Sequence, residues 1–429
     1  MYPRKLNSFT IFSISLYTSK CLFIKTFFVN QSLHEYFGSS KDEMYYGRVR
    51  FETAAFQDDI SKPCGDVRSA QAGMTRLASM LAARGLDAHP EKTGYLVMGT
   101  SNFKEEVEEE LERKELMFGK FEAKRKESDK YLGQTLHEGG LAMSVEATIL
   151  ERKGKVQGAI YTTASILETF QMQAMGGLMA AKYIWEGAIV PSLLSGAGTW
   201  VGCTARQEEM CEQLQEQFWR TVLQVPKGTP KVMYRAETAS RKMKFRIMKE
   251  KVLLVMRIRS QERSLAKEIL EEQVAMGWPG LAKEVEEICK EIGVENATKE
   301  TVTKEELEEA VSMADYKEMK KDMEKYSKLE DVRKQDLRKE QDYMHEIAAD
   351  NARGAFRIRT KMVKHAKMNF KNQHKGNLNC EKCDNGVEET QEHMMECVGW
   401  EEERGSLDML RIMDQVQFFN RVGMKKMLK

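Results

Sequence analysis

Residues 48–56, Arg48-Val49-Arg50-Phe51-Glu52-Thr53-Ala54-Ala55-Phe56, mix apolar and polar side chains in a loose period of two, as a half-buried strand does. Two adjacent acids, Asp58 and Asp59, follow Gln57, and the chain returns at once to the apolar Ile60. From 66 to 86 the period becomes that of a helix. Val67, Ala70, Met74, Leu77 and Leu81 fall on one face, Asp66 suits the N-cap and Gly85 the C-terminal stop. Residues 93–98 read as a second strand, entered through His89-Pro90-Glu91-Lys92. A heavily charged helix and a hairpin around Tyr131-Leu132-Gly133-Gln134-Thr135-Leu136 come next.

Beyond this point the pattern is helical. Residues 140–255 carry the richer apolar helices, with Pro191 and the Pro226/Pro230 pair marking joints, and no proline follows Pro279. Thr303-Lys304-Glu305-Glu306 is a capping box, and it predicts a long charged helix through about residue 348. Leu307, Ala310, Met313, Tyr316 and Met319 form its narrow apolar stripe. The fold class expected is α+β, a short antiparallel sheet with a helix followed by a mostly α-helical remainder.

Composition narrows the function. With 429 residues the chain has room for two or three domains of about 150 residues. Its 67 Lys and Arg balance 66 Asp and Glu, which excludes a uniformly basic protein, so nucleic-acid affinity would have to come from local patches. The 28 methionines suit flexible filling of helix cores. Of eight cysteines, Cys21, Cys64, Cys203, Cys211 and Cys289 are scattered, which does not read as a disulfide framework.

The other three belong to Cys380-x2-Cys383-x9-His393-x3-Cys397, the ligand set of a closed tetrahedral structural zinc site. His393 and Cys397 are four apart, so one helical turn puts both on one face. The competing reading is three buried or free cysteines. Just before this motif, residues 354–379 contain no acid but carry Arg357, Arg359, Lys361, Lys364, Lys367, Lys371 and Lys375, interleaved with Phe356 and Phe370. Basic residues with spaced aromatics suit contact with a nucleic-acid backbone. The alternative is a solvated helix face whose Phe356, Ile358, Met362 and Phe370 pack inward. His-Glu-x-x-His, Gly-x-Ser-x-Gly and phosphate-loop motifs are absent, and Gly196-x-Gly198 lacks the third glycine of a dinucleotide loop.

Adjacent acids at a strand end can hold a divalent cation, because Mg²⁺ prefers hard oxygen ligands. The order strand, acids, helix, strand and hairpin is that of the second half of a polymerase palm. The chain resembles the reverse transcriptase of non-LTR retrotransposons over most of its length, from about residue 41 onward. Phe56-Gln57-Asp58-Asp59 matches the aromatic-x-Asp-Asp motif and His89-Pro90-Glu91-Lys92-Thr93 the following palm motif. Tyr131-Leu132-Gly133 matches the hairpin that grips the primer end. Residues 189–200 look like the thumb signature, with Ser195 and Gly198 where the family usually carries an aromatic and an acidic residue. The zinc motif stands where family members carry a Cys-Cys-His-Cys finger, preceded by Lys367-Met368-Asn369-Phe370-Lys371 and followed into by Glu389-Thr390.

The resemblance implies an RNA-directed DNA polymerase acting on an RNA template and a DNA primer. Asp58 and Asp59 would hold Mg²⁺ for two-metal nucleotidyl transfer, with Lys92 beside the pyrophosphate. Tyr131, Leu132 and Gly133 would contact nucleic acid. It also implies a third carboxylate on an earlier strand, but Glu35 is the one acid among residues 1–40. The expectation is therefore a partial palm (41–137), a thumb-like region (138–255), a charged helical connector (256–353) and a basic segment with a zinc module (354–429). Such a fragment would be inactive alone, its partners RNA, DNA and the missing upstream part of the polymerase. The alternative is a non-catalytic nucleic-acid-binding remnant. Residues 1–40 are expected to be foreign to the enzyme. Residues 9–29 imitate a secretory signal, with Arg4 and Lys5 in front, but Lys20 and Lys25 interrupt the run. An intracellular protein of nucleus or cytoplasm, without a membrane span, is the expectation.

Overall fold

The computed structural model describes residues 9–15, 44–46, 49–51, 54–56, 59–64, 66–99, 101–169, 176–262, 264–326, 330–346, 348–363, 379–380, 382–383 and 385–422. Strand β1 is Phe9–Ser15. The ribbon β2 (Met44–Tyr46) and β3 (Val49–Phe51) precedes β4 (Ala54–Phe56), β5 (Asp59–Cys64) and β6 (Gly94–Met98). Strands β7 (Met117–Phe118) and β8 (Phe121–Glu122) form a small ribbon, β9 (Lys124–Arg125) follows, and β10 (Ser128–Tyr131) pairs with β11 (Gln134–His137). The main sheet runs β4-β5-β1-β6-β9, antiparallel except for the β6–β9 pair.

Residues 9–15, expected to lie outside the enzyme, form the middle strand of this sheet. Strand pairing is non-local, so a short Ser/Thr-rich apolar run gives no sign of its partners until they are known. Gly94 is required where β9 meets β6: a Cβ there would lie 2.5 Å from the Lys124 carbonyl oxygen.

Helix α1 (Val67–Ala83) covers the sheet, and its expected face, Val67, Ala70, Met74, Leu77 and Leu81, is buried against Ile60, Tyr95, Val97 and Phe118. Asp66 caps it by accepting from the Ser69 N–H at 2.6 Å. Gly85, at φ +66°, ends it, with the Leu86 N–H donating to the Leu81 carbonyl as in a Schellman motif.

The later helices are α2 (Ser101–Arg113), α3 (Leu141–Leu167), α4 (Gly177–Ile184), α5 (Ala205–Leu223), α6 (Lys231–Thr238), α7 (Met243–Ser260), α8 (Leu265–Met276), α9 (Leu281–Ile292), α10 (Lys304–Glu324), α11 (Ala349–Arg359), α12 (Gln391–Glu396) and α13 (Ile412–Arg421). After α4 a π-helical turn, Trp185–Ile189, leads into Val190–Leu193. Its position two residues ahead of Pro191, which has no N–H to donate, accounts for the irregular ladder.

The capping box forms as expected, Thr303 N–H donating to Glu306 and Glu306 N–H to the Thr303 hydroxyl. The helix nevertheless ends at Glu324 rather than near 348. The segment that follows is held by distant groups instead: Lys182 pairs with Glu340, and the Gln341 N–H donates to the Glu237 carbonyl. Tertiary partners thus override helical propensity.

The consecutive domains expected from sequence differ from the observed division. One compact unit comprises Met1–Arg152, Leu194–Met210 and Arg246–Ala310, the other Lys153–Leu193, Cys211–Phe245 and Val311–Lys429. Four of the five crossings fall inside helices, α3, α5, α7 and α10, where composition does not change. In the second unit the core is aromatic, with Trp185 stacked on Phe218 at 4.5 Å and Tyr234 on Phe356 at 6.0 Å. No described helix is long and apolar enough to cross a membrane.

Candidate metal centre and nucleic-acid interface

The four residues of the Cys/His motif converge. Ligand atoms of Cys380, Cys383, His393 and Cys397 all lie within 4.8 Å of one another, and Cys383 Sγ is 3.4 Å from His393 Nε2. Metal–ligand bonds of about 2.3 Å to sulfur and 2.0 Å to nitrogen at tetrahedral angles place ligands about 3.5–3.8 Å apart, so the donor set fits zinc. Local structure explains the convergence. Asn379 and Glu388 bridge, and the Cys380 N–H donates to the Val387 carbonyl at 2.9 Å, folding the chain back on itself. Thr390 caps α12 by accepting from the His393 N–H at 3.1 Å, and the Cys397 N–H closes that helix on the His393 carbonyl at 2.7 Å.

Second contacts hold the ligands. Gly399 sits so close to the Lys382 carbonyl that no side chain fits. Lys382 Nζ lies 4.8 Å above the Trp400 ring and pairs with Glu403 at 3.0 Å. Arg404 donates to the Cys397 carbonyl at 2.6 Å. Burial pushes the Cys397 thiol up, the Gly399 N–H opposes this, and the neighbouring Cys383 and Cys380 push it further up. Thiols crowded in this way gain from a divalent cation that takes their charge.

The basic segment divides. Arg357 is buried, donates to the Gln224 carbonyl, and has its pKa lowered to about 10 by burial and by neighbouring Arg353. Arg359 holds the buried Glu237 carboxylate at 2.6 and 3.0 Å. Both were expected to touch phosphate; their guanidiniums are engaged by partners 133 and 122 residues away, which no reading of the local run reveals. Lys361 pairs with Glu392 at 2.8 Å and stays partly exposed. Lys364, Lys367, Lys371 and Lys375 lie outside the described residues.

Of the acid pair, Asp58 lies outside the described residues, while Asp59 opens β5 opposite Phe56 on one side and Ser15 of β1 on the other. Lys92 is exposed, in the turn two positions before Gly94, whose partner on β1 is Ser13. The register therefore brings Asp59 and Lys92 to one end of the sheet, on either side of β1.

Leu132 and Gly133 form the two-residue loop of a hairpin, closed by the pairing of Tyr131 with Gln134. Leu132 at φ +49° and Gly133 at φ +76° are both left-handed, the geometry of a type I′ turn. Leu132 is nonetheless a leucine, and 48% exposed. Sequence reading missed what supports this tip. Arg152 donates to the Gly133 carbonyl at 2.6 Å and to the Ser195 carbonyl at 2.8 Å, 5.9 Å from the Trp200 ring. Gln134 donates to the Ser195 carbonyl at 2.8 Å and accepts from Trp200 Nε1 at 2.9 Å. At Gly198 a Cβ would lie 2.8 Å from the Glu250 carbonyl oxygen. Neither Arg152 nor Gln134 carries a sequence signal beyond its polarity.

Comparison with protein families finds no family that matches the chain, and no curated protein matches it either.

Proposed function

We propose that this chain is part of a non-LTR retrotransposon reverse transcriptase, binding RNA and DNA but without polymerase activity of its own. The observation that carries the reading is the shared sheet end of Asp59 and Lys92, with the Tyr131–Gln134 turn further along the same unit. An antiparallel sheet in which a hairpin flanks one side of the central strand, and the strand after the helix flanks the other, has the split arrangement of ferredoxin-like folds, to which polymerase palms are similar.

Independent catalysis fails on the donor set. The resemblance implies a third carboxylate on an earlier strand beside the acid pair, completing the ligands of a two-metal site. The strand beside Asp59 is β1, Phe9-Thr10-Ile11-Phe12-Ser13-Ile14-Ser15, which carries no acid. The described residues do not fit two Mg²⁺ ions. An upstream segment or another chain would have to supply that carboxylate together with the parts that hold template and nucleotide.

A second reading, a non-catalytic nucleic-acid-binding remnant, is favoured by the zinc-fit cluster, which stands whatever the state of the acids. Primer extension on a poly(rA)/oligo(dT) duplex with Mg²⁺, beside the Asp58→Ala/Asp59→Ala variant, tests the first reading, and a gel shift on the same duplex the second. Extension abolished in the variant would overturn the claim of inactivity. No extension with a salt-sensitive shift is expected; loss of the shift on zinc chelation would place binding at the C-terminal module. Absence of both would remove the binding function.

A further inference from the structure

We propose that zinc loading of the C-terminal module secures the C-terminal end of helix α5, with α11 as the mechanical link and its arginines as caps. The inference rests on the zinc-binding reading of the Cys380/Cys383/His393/Cys397 cluster and is independent of polymerase ancestry.

Helix α5 ends at Leu223, and Gln224 takes a left-handed φ of +52°, leaving terminal carbonyls to be satisfied from elsewhere. Arg353 Nε donates to the Val222 carbonyl at 2.9 Å and Arg357 to the Gln224 carbonyl. Cations are favoured at a helix C-terminus, and these two are almost wholly buried there, 2% and 3% exposed. Their position depends on α11, a helix of 11 residues, too short to persist by itself in water.

The zinc module grips α11 at its far end. Gln391 Nε2 donates to the Ile358 carbonyl at 3.0 Å, and Glu392 pairs with Lys361 just past the helix. Gln391 and Glu392 open α12, whose six residues include His393 and which closes at Cys397. Beyond the last ligand, Trp400 meets Phe418 of α13 edge-on at 6.5 Å, and α13 packs against α11. A six-residue helix has no stability of its own. What fixes it is the metal that joins His393 and Cys397 to the knuckle. Removing that metal releases Gln391 and Glu392 from α11, and with them the guanidiniums from α5.

Hydrogen exchange on the full-length chain, with zinc bound and after chelation, tests this. Zinc content is measured in parallel by atomic emission. Chelation should raise exchange in residues 391–400 and, by about tenfold or more, in residues 221–225. Gln391→Ala should keep one zinc per chain yet show raised exchange at 221–225 with the metal still bound. Arg353→Met should raise it there without disturbing 391–400. Faster exchange at 391–400 with 221–225 unchanged would overturn the coupling. A chain that binds no zinc would overturn the metal reading itself.

Discussion

Arg359 holds Glu237 by two hydrogen bonds, at 2.6 and 3.0 Å, with the carboxylate side chain wholly excluded from solvent. Tyr343 adds a third, its hydroxyl donating to Glu237 at 2.8 Å, and burial, with the carboxylate beside it, pushes that phenol well above its usual range. Removing one partner of a buried pair strands the other charge. Arg359→Ala should therefore cost about 3–5 kcal/mol in urea unfolding. Arg353→Ala strands no buried acid, because Asp350 and Glu168 are both half exposed, and should cost about 1–2 kcal/mol. Equal losses in the two variants would contradict the burial argument.

The hairpin tip gives a prediction of opposite sign. Leu132 sits at φ +49°, where a residue with a Cβ is strained by about 1–2 kcal/mol. Leu132→Gly removes that strain and an exposed apolar side chain, but adds freedom to the unfolded chain, so the net effect should be a gain of about 0.5–1 kcal/mol. At the next position Gly133→Ala meets open space, so its cost is backbone strain alone, about 1–2 kcal/mol of loss. Thermal melts of the two variants should move in opposite directions. If Leu132→Gly also weakens the nucleic-acid gel shift, the strained leucine is held for binding.

What could be read in the sequence was whatever is encoded locally. The α1 stripe, its Asp66 cap and Gly85 stop, the Thr303/Glu306 box and the four clustered metal ligands all depend on residues a few positions apart. What escaped depends on partners far along the chain. Strand β1 pairs with residues about fifty and eighty positions later, and nothing in Phe9–Ser15 identifies them. The acid-free run 354–379 looked like an open basic surface because the groups that occupy Arg357 and Arg359, the Gln224 carbonyl and Glu237, lie far upstream. Local composition records charge but not whether that charge is already paired.

Glu212 predicts a dependence on pH. Burial pushes its carboxyl above the usual range, against the opposing pull of Arg235 and of the Met243 N–H, which donates to it at 2.8 Å. A carboxyl whose folded pKa is raised favours the folded state below its unfolded value, and that contribution is lost as pH rises through the folded one. At neutral pH the buried carboxyl is thus a liability to the fold. Glu212→Gln retains an acceptor for Met243 and removes the charge. It should stabilise the protein near pH 7, with the gain shrinking as pH falls through about 4, the region in which an unfolded glutamate takes up its proton. Urea melts at the two pH values check this, and a gain independent of pH would refute it.

Metal removal is the most direct measurement on the C-terminal module. The chain should retain one tightly bound zinc through purification, and Cys383→Ser, which leaves three ligands and opens the site, should reduce the retained zinc well below one per chain. Lys382→Ala spares all four ligands but removes the contact with Trp400 and the pair with Glu403. Changes around the ligands of a metal site typically lower affinity by about 10–100-fold, so Lys382→Ala should keep zinc at saturation yet release it faster to a competing chelator. The two variants separate the alternatives posed by the sequence. Three unconnected buried thiols would leave zinc content near zero in the wild type and in both variants, whereas a closed site orders resistance to the chelator as wild type, Lys382→Ala, Cys383→Ser.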